Sequence, residues 1–157
     1  MYDSEHDMLD AFKAMPATLA FLLEGISQEQ ALSAKGGDEG WSIVEVVCHL
    51  RDAEGFALQR DAMMLEKDNP DIIPFDQAQL AIERHYADQD LHEALEEFIR
   101  LRREHITMLE LLSAEDWKRP GEHLEMGRIT IFGHVLHMVC HDAIHCAQIS
   151  RQLKAKN

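Results

Sequence analysis

The sequence predicts an all-α protein, a four-helix bundle, on three observations. Four long segments repeat apolar side chains at helical spacing. The chain of 157 residues suits one domain, taken as 1–157, and is long enough for a sizeable core. The connection between the second and third segments, Asp68 to Asp90, is too long for a tight turn, so it is expected to cross over along the outside of a bundle.

Helix one is expected over Glu5–Glu24, where Met8, Phe12, Met15, Leu19 and Leu22 form a stripe closed by Gly25. Pro16 falls inside it and should kink or interrupt it, because proline lacks the N–H of a helical hydrogen bond. Ser27–Gly40 is a connector with a short helical piece and a flexible run from Lys35 to Gly40. Ser42 and Glu45 form a capping box, with Trp41 placed to staple the start of helix two, Ile43–Lys67. On that helix His49 shares a face with Glu45, Asp52, Ala53, Phe56, Arg60 and Met63.

The crossover contains Pro70, Pro74 and a short helical patch, Asp76–Tyr86. Helix three, Leu91–Leu112, has Leu95, Phe98, Leu109 and Leu112 on one side, interrupted by Arg102 and His105, the latter read as a core or boundary histidine. Ser113–Ile129 is read as irregular, with turns at Pro120-Gly121 and Met126-Gly127. Helix four, from the N-cap Thr130 to Leu153, is the most apolar long segment and holds four of the ten histidines.

On that last helix His141 and His145 lie one turn apart, with His134 between them on the wheel and His137 at the edge of the face. Gln148 and Gln152 extend the face. Two imidazoles at this spacing can point at one ion, and they can equally be hydrogen-bonded core groups. Small residues on the opposite face, Val139, Ala143, Ala147 and Ser150, would let another helix approach closely.

The formal net charge of −14 argues against a nucleic-acid or anionic-membrane partner, since either calls for a basic surface. No apolar run approaches the length of a membrane helix, and the acidic start is unlike a signal peptide, so a cytoplasmic location is expected. Three cysteines argue against a disulfide framework; Cys140 and Cys146 point away from the histidine stripe and read as small packed side chains. There is no HExxH, no ExxH pair on two helices, no phosphate-binding glycine loop and no GxSxG.

Taken together, Trp41-Ser42, His49-Leu50 with Asp52 and Arg60 downstream, and His141-Asp142-x-x-His145-x-x-Gln148-Ile149 resemble the DinB/YfiT-like superfamily of metal-dependent bundle proteins. The resemblance covers nearly the whole chain. It implies up-down-down-up topology and a divalent metal held by His49, His141 and His145, zinc or nickel first, with iron or copper also compatible with imidazole. It implies a small-molecule substrate, and through family members that are thiol-dependent S-transferases a low-molecular-weight thiol or a hydrolytic reaction. Asp52 is the expected catalytic neighbour, with Glu45 and Asp142 as further carboxylates that could orient an imidazole or take a proton. The alternative is a non-catalytic stress-response bundle in which any metal is structural or sensory. A homodimer is expected from the small-residue face of helix four.

Overall fold

The computed structural model describes residues 4–37 and 39–155; Asp38, in the glycine-rich run, lies outside them. Helix α1 (Ser4–Leu23) buries Met8, Phe12, Met15, Leu19 and Leu23. It continues through Pro16 without a break. The carbonyl that Pro16 leaves without its helical donor is that of Phe12, and Arg102 Nη1 donates to it at 3.0 Å. A side chain from another helix thus replaces the missing N–H, and the expected interruption does not occur.

A capping box of Ser27 and Gln30 starts the short α2 (Gln28–Ser33). A two-residue ribbon, β1 (Lys35–Gly36) with β2 (Trp41–Ser42), leads into α3 (Ile43–Glu66). The capping box at the start of α3 is present: Glu45 N–H donates to Ser42 Oγ, and Ser42 N–H donates to Glu45 Oε2. The crossover holds β3 (Asp71–Ile72), α4 (Gln77–Glu83) and a 3₁₀ turn, Tyr86–Asp88. Capped by Asp90, α5 (Leu91–Leu109) follows. Capped by Thr130, α6 (Ile131–Lys154) ends the described fold.

The segment read as irregular contains a hairpin, β4 (Pro120–His123) with β5 (Gly127–Thr130). Gly127, at φ +77°, supplies the left-handed residue of its turn. Strand β4 also pairs in parallel with β3, about fifty positions earlier, a partner that no local pattern announces. Gly121 lets this hairpin lie against α3, since a Cβ there would meet Met64 Sδ at 2.9 Å.

Both α1 and α3 pack against α5 and α6, which puts α1 and α3 on opposite corners of the bundle. Glu54 faces Arg102 while Asp61 faces His105, so α3 and α5 run parallel. His49 meets His141 and Asp61 meets His134, so α3 and α6 run antiparallel. Phe12 meets Arg102 while Leu9 lines one surface cleft with Leu109, so α1 and α5 run antiparallel, the topology is up-down-down-up, and the long crossover returns the chain to the end where α3 began. Apolar side chains form two clusters, and buried charged groups lie among them.

Candidate metal centre

Three imidazoles converge where α3 crosses α6. His49 Nε2 and His141 Nε2 are 2.9 Å apart, and the ring centroids of His49 and His145 lie 4.9 Å from each other. One nitrogen from each of His49, His141 and His145 falls within 4.8 Å of the other two. The local sequence explains why they meet. The capping box fixes the first turn of α3, and buried Trp41 packs on the His49 ring at 5.3 Å. On α6 the rotation is set from two sides: Asp142 accepts from both Arg102 Nη1 and Nη2, and His134 Nδ1 meets Asp61 Oδ1 at 2.6 Å. With those two anchors in place, His141 and His145 face α3.

The protonation states suit a cation. Burial, then the neighbouring His145, pushes the His49 pKa down to about 4. Burial, then His145 and His49, pushes His141 down to about 2, and burial lowers His145. All three rings are neutral at neutral pH and keep a lone pair. His145 Nδ1 donates to Gln148 Oε1 at 2.8 Å, which fixes the tautomer and frees its other nitrogen for a ligand. Gln148 is held in turn by its Nε2–H toward the Gly36 carbonyl. Buried His141 Nδ1 has no hydrogen-bond partner among the described residues, and the ring's polar contact is the one its Nε2 makes with His49. Each neutral imidazole keeps one nitrogen lone pair for an ion, and the donor set fits a divalent ion of the first transition row.

A cleft of about 220 Å³ is lined by His49 and His141 and, from the crossover and the hairpin, by Phe75, His123 and Met126. The carboxylates read from sequence as helpers are engaged elsewhere. Asp52 accepts from Arg51 and from the Tyr86 hydroxyl and pairs with Arg84 at 3.0 Å, so none of its hydrogen bonds comes from a site histidine. Glu45 caps α3, and Asp142 binds Arg102. Cys140 is exposed, and Cys146 packs on Met15; neither joins the cluster. His105 is a core histidine as expected, bonded to Glu54 and Asp61. Sequence reasoning missed Glu54 and Asp61; the signal was the charged pair Arg102 and His105 breaking an apolar stripe, which required partners on a facing helix.

Residues 11–149 match the DinB superfamily. A protein of Oceanobacillus iheyensis named "Putative metal-dependent hydrolase" is 25% identical over 152 residues, 97% of this chain and 87% of its own. A protein of the same name from Geobacillus thermodenitrificans is 33% identical over 75 residues, 48% of this chain and 42% of that one. The solved structure of YfiT from Bacillus subtilis, described as "a probable metal-dependent hydrolase with an unusual four-helix bundle topology", superposes with a TM-score of 0.89 at 22% identity, covering 97% of this chain and 87% of that one. The topology derived above from paired residues is the one that fold carries, and with most of its length matched the chain belongs to the DinB superfamily.

Proposed function

We propose that the protein is a metal-dependent hydrolase acting on a small molecule, with His49, His141 and His145 holding one divalent ion, zinc or nickel first. The observation that carries this reading is the meeting of three neutral imidazole nitrogens within 4.8 Å, two of whose rings, His49 and His141, line a cleft. Three protein ligands leave coordination positions open, whereas structural zinc sites are usually closed by four. When bound, such an ion supplies Lewis acidity and a nucleophilic water at neutral pH. The protein's own contribution is orientation. Gln148 fixes the His145 tautomer, Trp41 packs His49 in place, and the Asp142–Arg102 pair holds α6 at the angle that presents His141. The relatives' names support the same chemistry.

The test is elemental analysis of untagged protein beside His49→Ala, followed by hydrolysis of a panel of chromogenic esters, amides and phosphates by the zinc- or nickel-loaded chain. About one ion per wild-type chain, lost in the variant together with hydrolysis, is the expected result. Metal absent after reconstitution with both ions overturns the reading. Titrating small thiols into cobalt-loaded protein separates the S-transferase alternative, since a thiolate-to-cobalt charge-transfer band marks it. As a further part of the proposal, the protein is a homodimer.

A further inference from the structure

The cleft beside the three histidines is bordered by cationic and imidazole side chains in a protein whose formal net charge is −14. Arg60, His123, His134 and His137 line it, against a single carboxylate, Glu125. Half-buried Arg60 gives one N–H to the Ile73 carbonyl at 2.7 Å, and its guanidinium lies 5.5 Å from the Phe75 ring centre. Among the described residues no carboxylate forms a salt bridge with it. Burial lowers its pKa despite the nearby Asp61, as expected of a cation whose charge is under-compensated.

His134 provides a second, independent observation. It is only 4% exposed, it borders the cleft, and its hydrogen bond to Asp61 is made through Nδ1. Its Nδ1 meets Asp61, whose other oxygen accepts from His105 Nε2 at 2.8 Å. His105 Nδ1 meets Glu54 at 2.7 Å, Glu54 pairs with Arg102 at 2.9 Å, and Arg102 pairs with Asp142. Both His105 nitrogens face carboxylates, so that ring is an imidazolium. The string therefore sets three carboxylates, Asp142, Glu54 and Asp61, against two cations, Arg102 and His105. His134, hydrogen-bonded to Asp61, ends this string at the cleft. Arg60 and His134 are close enough that both act on the same neighbour, His123.

We propose that this cleft is an anion-binding pocket, in which a carboxylate or phosphate group of the substrate is held by the Arg60 guanidinium, with the His134 imidazole beside it, next to the three imidazoles. Its volume, about 220 Å³, is below that of ordinary ligand pockets, so the anion belongs to a small metabolite. Phe75, Met126 and Met138 supply apolar wall for the rest of the molecule. Calling the anion a substrate rests on the hydrolase reading; the anion site itself requires no metal.

The test uses full-length, isotope-labelled protein stripped of metal and freed of chelator. Inorganic phosphate and, separately, succinate are titrated in and followed by NMR. Saturable shifts of the Arg60 and His134 side-chain signals are expected in at least one arm, and the stronger arm identifies the preferred group. Arg60→Gln should weaken that binding roughly tenfold or more. Arg60→Lys, which keeps the charge, should retain most of it, and His134→Gln should weaken it while the spectrum stays folded. No saturable shift in either arm, or equal affinity in Arg60→Gln and wild type, overturns the proposal. Failure of the hydrolase reading appears elsewhere, as missing metal or missing hydrolysis, and leaves these titrations unchanged.

Discussion

Arg102 is fully buried, lies 3.7 Å from the centre of the Phe12 ring, and touches two carboxylates and one orphaned backbone carbonyl. Replacing it with Leu strands Glu54 and Asp142 in the core, and the expected cost is about 3–5 kcal/mol in urea unfolding. Part of that loss belongs to the Phe12 carbonyl. Pro16→Ala restores the helical N–H that serves it, so a double-mutant cycle of the two substitutions should show a coupling of about 1 kcal/mol, the double variant being less damaged than the sum. Additivity in that cycle would show that the Arg102 contact does not stand in for the missing donor. At the metal centre Gln148→Ala should leave the fold intact and weaken metal binding roughly 10–100-fold, read by competition with a chromophoric chelator, because His145 loses its tautomer-fixing partner.

At the scale of elements, Ser42 caps α3 and thereby sets the helix that carries His49, so Ser42→Ala should cost about 1 kcal/mol of stability. The ribbon just before it has a tighter constraint. Gly37 sits at φ +76°, and a Cβ there would lie 2.6 Å from Gln148 Nε2. Gly37→Ala should therefore displace Gln148 and weaken metal binding as Gln148→Ala does, although residue 37 touches no ligand. The four long helices and the caps at Ser42 and Thr130 were legible in the sequence because each rests on local periodicity or capping chemistry, and the convergence of His49, His141 and His145 followed from the family resemblance. The pairing of β4 with β3 was not legible, since β3 is a two-residue strand far away in sequence. Nor was the His134–Asp61 pair: on a helical wheel His134 falls beside the ligands, but it lies two turns along α6, where it meets a different part of α3. A wheel projects away the axial distance that separates a histidine of the three-imidazole cluster from one that lines the cleft.

For the molecule as a whole, stability should peak in a defined pH window when metal is removed. Hydrogen bonds to Asp61 and Glu54 outweigh burial and raise His105 to about 9, so its contribution is present below 6.5 and lost as pH rises through about 9. His49 and His141 are held down to about 4 and about 2, so below 6.5 the unfolded chain takes up protons that the folded one refuses, and stability falls. Glu54 and Asp61, lowered chiefly by their hydrogen bonds and charges against burial, add a further loss below about pH 4.5. Denaturation of metal-free protein at pH 5, 7.5 and 10 should give its highest midpoint at 7.5; a flat profile would mean that the buried charges are uncoupled from folding. The proposed dimer is tested by sedimentation, with the outer face of α6, where Leu136 and Ile144 are exposed, as the surface to disrupt. The partners of the metal centre, His49 and His141, are 92 positions apart. A chain leaving the ribosome N-terminus first presents one imidazole early and the other two only when its final helix emerges. On the proposed reading, ion capture is then a late event in the protein's birth, because a nascent chain cut short before His141 carries one of the three proposed ligands.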